Sequence, residues 1–276
     1  MSRGTIFVTG ASTGIGRATA LRLASAGFTV IPGLRRDKPL PEPVAAPVLI
    51  DLAKPETIAP ACAEVVDRAA GSLIGVINNA GMNVSGVFEA LPLDEWRTQF
   101  EVNLFGHLAV TQALLPAILA NRGRIVTVGS IGGRMSLPYV APYSASKFAV
   151  RAWMDALRGE LTPQGARAIL IEPGAIATPL WEKGTTAAQE RIDALPPEIR
   201  DRYRRHMNGA LRTAAMAERH AIPAERCAKV IQRAMTSRNP KGRYLVGPDA
   251  RVQALVSMMP VRIFDRVSAA LIRPAD

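Results

Sequence analysis

Cysteine is nearly missing from this chain of 276 residues: Cys62 and Cys227 lie far apart and outside any CxxC spacing. That excludes a disulfide framework and offers no zinc-ligand set. Aromatic residues make up only 5% of the chain, too few for the stacking platforms of single-strand nucleic-acid binders. No stretch reaches the roughly 18 uninterrupted apolar residues of a membrane span. Met1-Ser2-Arg3-Gly4 leads straight into Thr5-Ile6-Phe7-Val8, too short an apolar run for a signal peptide. Internal repeats and low-complexity linkers are missing as well. A reduced, cytoplasmic protein is the expectation.

With 48% hydrophobic and 21% charged residues, the composition suits a globular chain with a sizeable core and excludes disorder and collagen-like structure. Positive charge is in excess, 34 Lys and Arg against 23 Asp and Glu, for a formal net charge of +11. Such an excess could serve nucleic acid, a membrane surface or anionic small molecules. The arginines are scattered, and the densest group, Arg200 to Arg205, is diluted by Glu190, Asp193, Glu198 and Asp201. That is a solvated helix face. Nucleic acid is not an expected partner.

Short β-branched runs alternate with helix-length amphipathic stretches, the pattern of a parallel sheet covered on both faces. Strands are predicted at Thr5–Val8, Phe28–Ile31, Val48–Ile50, Gly75–Asn78, Arg124–Gly129, Arg167–Glu172 and Tyr244–Val246. Helices are predicted at Ile15–Ala26, closed by Gly27, at Tyr143–Leu161, and from Asp94 to about Ala120 as two stretches meeting near Gly106. The Pro-rich run from Pro39 to Pro47 is a surface connection. The expected fold class is α/β: one doubly wound (Rossmann) seven-stranded parallel sheet, with helices on both faces, as a single domain over residues 1–276. Ligands of such a sheet bind at the carboxyl ends of its strands.

Between the first strand and first helix lies Thr9-Gly10-Ala11-Ser12-Thr13-Gly14-Ile15-Gly16. Glycines there let the backbone turn tightly and approach a pyrophosphate, which the helix amino terminus stabilises. The acidic position that NAD-binding sheets place near the end of the second strand is Leu34 here, followed by Arg35 and Arg36. An arginine pairs with a 2′-phosphate where a carboxylate would repel it. NADP(H) is therefore expected, with Arg35 as main contact and Arg36 in support, while Asp37 keeps NAD open. Further on, Tyr143-Ser144-Ala145-Ser146-Lys147 opens a helix, and positions i and i+4 share a face. A nearby ammonium lowers a phenol's pKa toward a useful acid/base range and can also hold a ribose.

Three residues separate Gly10 from Gly14, so the loop is not GxGxxG; it resembles the TGxxxGxG loop of the short-chain dehydrogenase/reductase family. Asn78-Asn79-Ala80-Gly81 resembles that family's NNAG segment, near the adenosine side of the cofactor, and Asp51-Leu52 falls where members place an adenine-binding Asp. Pro173-Gly174-Ala175-Ile176-Ala177-Thr178 is similar to the family's PG segment, in which Ile176 and Thr178 would hold the nicotinamide carboxamide. The resemblance implies a tetrad of Asn103, Ser130, Tyr143 and Lys147. Tyr143 would pass a proton to or from the substrate oxygen, Ser130 would hydrogen-bond that oxygen, and Lys147 would tune Tyr143 and position the ribose. Asn103 would hold a water that relays the proton through Lys147. Cofactor contacts would come from Gly10, Ser12, Thr13, Gly14, Ile15, Gly16, Arg35, Arg36, Asp51, Leu52, Asn79, Ala80, Gly81, Tyr143, Lys147, Pro173, Gly174, Ile176 and Thr178. The resemblance is strong over about residues 3 to 180 and weak to about 250, and it implies a homodimer or homotetramer paired through the helices of Asn103 and Tyr143.

Two other classes share parts of this pattern. Gly129-Ser130-Ile131-Gly132 could suggest a hydrolase serine, but its frame is GSxG rather than GxSxG, and His107, His206 and His220 occupy no convincing catalytic loop. A non-catalytic cofactor-binding sensor is the remaining alternative, alongside an NAD-dependent dehydrogenase of a smaller alcohol.

Residues 179–222, including Leu180-Trp181-Glu182-Lys183-Gly184, would form a lid over the nicotinamide or a surface insertion. Met82, Val84, Met135, Leu137, Pro138 and Tyr139 could make an apolar wall suited to a bulky hydrophobic alcohol or carbonyl. In the amphipathic tail, residues 250–276, Val252, Leu255, Val256 and Met259 recur at helical spacing, followed by Ile263, Phe264, Val267 and Leu271. Arg251, Arg262, Arg266 and Arg273 lie between them, with a break at Pro260. Core or subunit packing explains such a stripe, and so does weak membrane-surface contact. Asn121–Arg124, Ile171–Gly174 and Tyr244–Ala250 also resemble the hydroxysteroid and retinol dehydrogenase branch. An NADP(H)-dependent oxidoreductase of a secondary alcohol and ketone, or an aldehyde, with a steroid-, retinoid- or lipid-like substrate is expected. No metal is implied.

Overall fold

A computed structural model describes residues 3–38 and 40–272, without the side chains of Glu182, Lys183 and Leu271. Met1, Ser2, the first residue of the Pro-rich run (Pro39), and the tail's Arg273 lie outside the described residues, as do those three side chains. Seven strands, β1 (Thr5–Thr9), β2 (Thr29–Leu34), β3 (Val48–Leu49), β4 (Leu73–Asn78), β5 (Arg124–Val128), β6 (Arg167–Pro173) and, near the end, β9 (Arg243–Val246), form one sheet. Its order is β3-β2-β1-β4-β5-β6-β9, and all neighbours are parallel. The expected doubly wound sheet is present, and the order reverses beside β1, where such a fold opens its ligand crevice.

Both faces are covered, so the strands are apolar throughout rather than alternating. In β1, Ile6 and Val8 point into one core with Cys227 and Ile231, while Phe7 points into the other with Val65, Leu114 and Met154. The first face carries α1 (Gly14–Ser25) and α8 (Ala224–Thr236). The second carries α2 (Ile58–Ala69), α4 (Gly106–Ala120) and α5 (Ala141–Leu161). Neither α2 nor α8 was among the predicted elements; α2 follows Pro55 and carries Pro60 in its first turn, which hides its start.

The two stretches expected to meet near Gly106 are one helix. The chain runs unbroken from α3 (Leu93–Phe100) through a π-helical turn, Glu101–Phe105, into α4. This Leu93–Ala120 helix is long and apolar enough to cross a membrane by length and composition, yet it packs on α2, β4 and α5 as a core helix. Past β6, a two-residue strand β7 (Ile176–Ala177) pairs with β8 (Ile222–Pro223). Between them rise α6 (Pro179–Asp193) and α7 (Pro197–Arg219). The chain closes with α9 (Pro248–Val256) and α10 (Val261–Leu271), broken at Pro260 as expected.

Candidate active site

Loops at the carboxyl ends of β1, β4, β5 and β6 build the site. After β1 the backbone turns at Gly10 with φ of 64°, so close to β4 that a Cβ there would lie 2.7 Å from the Ala80 Cα. Gly16, in the first turn of α1, abuts the Gly10 carbonyl and the Asn79 amide and leaves no room for a side chain. Thr9, which the sequence did not single out, clamps the loop. Its Oγ1 accepts from the backbone N–H groups of Asn79 and Ala80 (3.0 and 3.1 Å), and Asn79 Nδ2 donates back to the Thr9 and Gly10 carbonyls (3.0 and 3.1 Å). Ser12 and Thr13 are exposed, and Thr13 is the N-cap of α1 without a side-chain cap. The first N–H groups of the helix, that of Ile15 included, are thus left to an anion. A turn kept tight by Gly10 and Gly16 at the amino terminus of α1 fits a dinucleotide pyrophosphate.

Arg35 and Arg36 are exposed just past β2, beside this loop: Gly10 N donates to the Gly33 carbonyl at 3.0 Å. Asp51 lies past β3, where its carboxylate accepts from Ala53 N (3.1 Å), and the Leu52 side chain is buried against Gly106. Gly81 lies beside Asn103. Pro173 ends β6, Gly174 N donates to the Val246 carbonyl (2.9 Å), and Ala175 N donates to the Asp249 carboxylate (2.7 Å). Asp249 thereby fixes the PG loop from 74 residues away in sequence, a role that no local pattern announces. Ile176 is buried, and Thr178, the N-cap of α6, lies against Gly14. The loops after β1, β4 and β6 thus converge.

The four tetrad candidates come from three elements. Ser130, just past β5, accepts from Gly132 N (3.0 Å) and hydrogen-bonds the Tyr143 hydroxyl. Lys147, buried one turn along α5, donates from Nζ to the Val128 carbonyl (3.0 Å), with Nζ 5.8 Å from the centre of the Tyr143 ring. Asn103 is fully buried in the π-turn. Its Oδ1 accepts from Met82 N (2.9 Å), and its Nδ2 donates to the Met82 carbonyl (3.0 Å) and Ser146 Oγ (3.2 Å). Ser146 Oγ in turn donates to the Tyr143 carbonyl (2.7 Å). The Asn103 side chain is spent on bracing the loop after β4 against α5.

The expected lowering of the Tyr143 pKa is not what the structure gives. Burial pushes the phenol above its ordinary value, and the Ser130 hydrogen bond opposes that only in part. Burial also brings the Lys147 ammonium down to about 8. Desolvation disfavours both charged forms, that of the buried Lys147 and that of the half-buried Tyr143.

Sequence reasoning missed the partners of Asn103. Gln99, one turn earlier and fully buried, accepts from Val84 N (2.6 Å) and donates to the Met82 carbonyl (3.0 Å). Gln99, Asn103 and His107 form a polar i, i+4, i+8 stripe on this apolar helix, a signal that was legible. Of the proposed wall, Val84 and Met135 are buried, Tyr139 is half-buried and Pro138 is exposed. Arg191 of α6 pairs with Glu95 (3.0 Å), and Arg202 and Tyr203 of α7 both reach Glu89 (2.6 and 2.8 Å). The two helices are therefore fastened to the segment that follows Met82 and Val84.

A family model described as short chain dehydrogenase matches residues 4–189. The chain belongs to the short-chain dehydrogenase family. Within that family it is similar to 3-amino-tetrahydro-pyrrolizinone reductase of Xenorhabdus hominickii, with 34% identity across 91% of this chain and 89% of the relative. It is also similar to mouse retinol dehydrogenase 5, with 30% identity across 98% of this chain and 90% of the relative. A Burkholderia cenocepacia short chain dehydrogenase, solved in complex with NADP, superposes with a TM-score of 0.73 at 27% identity, covering 98% of each chain. As a short-chain dehydrogenase the protein is an oxidoreductase acting on an alcohol/carbonyl pair, of the branch that includes the retinol and hydroxysteroid dehydrogenases.

Proposed function

We propose that this dehydrogenase uses NADP(H) to interconvert a bulky hydrophobic secondary alcohol and its ketone, or an aldehyde, of steroid, retinoid or other lipid type. The observation that carries the reading is the meeting of Ser130, Tyr143 and Lys147 past the carboxyl end of β5, in a sheet whose β1 carries the Gly10–Gly16 loop at its own carboxyl end. A nicotinamide held at this site would supply or accept hydride at the substrate carbon. Tyr143 exchanges a proton at the substrate oxygen, and a phenol kept protonated by burial is set to donate. Ser130 holds that oxygen in place. Lys147 keeps donors for a ribose beyond its bond to Val128, and Asn103 with Gln99 keeps the Met82–Val84 wall in register.

Arg35, with Arg36, takes the 2′-phosphate, a reading that the NADP-bound Burkholderia relative supports. The buried Val84 and Met135 and the retinol dehydrogenase relative support a lipophilic substrate. Helices α6 and α7 cover that substrate as a lid. Exposed Phe105 and Phe148 support pairing of subunits through α4 and α5, which a solution mass measurement checks. The functional test is oxidation of NADPH, with NADH in parallel, against a panel of ketones and aldehydes, with Tyr143→Phe alongside. Bulky ketones should turn over with NADPH, and the variant should lose roughly 10²–10⁴-fold in kcat. Turnover limited to small polar carbonyls would overturn the substrate class, and undiminished turnover by the variant would overturn the site.

A further inference from the structure

The C-terminal helices carry a concentration of exposed apolar side chains. Val252, Leu255, Met258, Met259, Val261 and Ile263 all face solvent, with Met258 71% and Val261 72% exposed. Monomer surfaces seldom gather this much apolar area without a partner. Arg251, Arg262 and Arg266 are exposed among them, and Asp265 is the one acidic residue from 250 to 272, which leaves two net positive charges on the segment. Asp249 points inward, onto the Ala175 N–H.

Two occupants would cover such a face, a second copy of the chain or a lipid surface. A two-fold pairing sets the same patch against itself, so the arginines of one copy would meet those of the other with little acid to offset them. An anionic lipid surface meets both parts of the patch at once: methionine, leucine and valine enter the acyl boundary while guanidinium groups bind phosphates. The position is also specific. Ala250 and Ala254 of α9 pack on Ile131, the neighbour of Ser130, and α10 packs on α7.

We propose that α9 and α10 dock this protein on an anionic phospholipid surface, with the candidate active site one helix away from the lipid. The inference stands on surface residues alone and not on the cofactor or substrate reading.

Vesicle sedimentation of the full chain tests it, with phosphatidylcholine alone and with phosphatidylcholine mixed with phosphatidylglycerol. Two variants accompany the parent, Arg262→Gln with Arg266→Gln, and Met258→Ser with Val261→Ser, all at exposed positions. The parent should bind the mixed vesicles far better than the neutral ones, and added salt should weaken that binding. Losing two arginines should cost roughly thirtyfold in partitioning, and the Met258/Val261 variant should also bind more weakly. Failure of the parent to bind mixed vesicles at low salt would overturn the proposal, as would parent-like binding by both variants. A fall in solution mass for the Met258/Val261 variant without vesicles would overturn it too, since a second copy would then be the occupant.

Discussion

His107 offers a quantitative test of how this core is built. It lies one turn beyond Asn103, fully buried, and neither ring nitrogen has a hydrogen-bond partner among the described residues. Burial, reinforced by the Lys147 charge, drives its pKa down to about 3, and the nearby Ala80 backbone opposes the shift without closing a bond of ordinary geometry. An unfolded histidine titrates near 6.5. Between about 3 and 6.5 the unfolded chain therefore binds a proton that the folded chain refuses, and stability falls as pH falls. From pH 7.5 to pH 5 the loss amounts to about 2 kcal/mol for this one residue, at roughly 1.4 kcal/mol per pH unit below 6.5. His107→Leu removes the titrating ring at nearly constant volume. Urea unfolding of parent and variant at both pH values, at one protein concentration, isolates the term, because the other titrating groups are common to both. The variant's loss should be smaller by about 2 kcal/mol. Parallel pH dependences would show that His107 takes up a proton in the folded protein, and the buried, unpartnered description would fall.

Three further outcomes are expected. Arg35→Ser should raise KM for NADPH roughly 10–100-fold, the loss of one charge-assisted contact, while KM for NADH stays close to the parent value; steady-state kinetics with both cofactors decides. Glu172→Ala strands Arg134, which grips the nearly fully buried Glu172 carboxylate through two bonds of 2.7 and 2.6 Å. It should destabilise the fold by about 3–5 kcal/mol in urea unfolding, and a change under 1 kcal/mol would mean the pair is solvated. Gly16→Ala places a methyl on the Gly10 carbonyl, so nicotinamide-cofactor binding by fluorescence titration should be lost or the melting temperature should drop sharply.

The strands were legible because a parallel sheet buried on both faces writes itself as uninterrupted apolar runs, as in Ile6-Phe7-Val8 and Ile169-Leu170-Ile171. Helix α2 was not, since Pro55 and Pro60 at its start resemble loop chemistry and only packing against α4 reveals it. Gly10, Gly16, Tyr143 and Lys147 could be singled out because the patterns they belong to lie within a few residues of one another. Thr9, Gln99 and Asp249 support the same loops through contacts 15 to 74 residues apart, and Arg134 meets Glu172 across 38. Such pairings have no signature in one dimension. The direction of the Tyr143 pKa shift is hidden for a related reason: the sequence shows Lys147 four residues on, but not the burial that raises the phenol's pKa against the opposing Ser130 hydrogen bond.

The short pairing of β7 with β8 holds the two ends of the α6–α7 excursion side by side, with Ile176 opposite Ile222 and a further bond from Ile222 N to the Ala175 carbonyl (3.0 Å). A detour that leaves and returns at one point adds no net displacement to the path of the chain. The sheet strands on either side can then keep their places as its length changes, and closing a longer or shorter loop across that neck costs little. The neck thus divides the molecule into parts that can vary on separate schedules. Below it, the sheet and its glycine loop are bound by close contacts that tolerate almost no change. Above it, α6 and α7 meet the rest of the chain through surface contacts such as Arg191 with Glu95, Arg202 with Glu89 and α7 with α10, so a change of length there is felt at those contacts before it reaches the floor of the site.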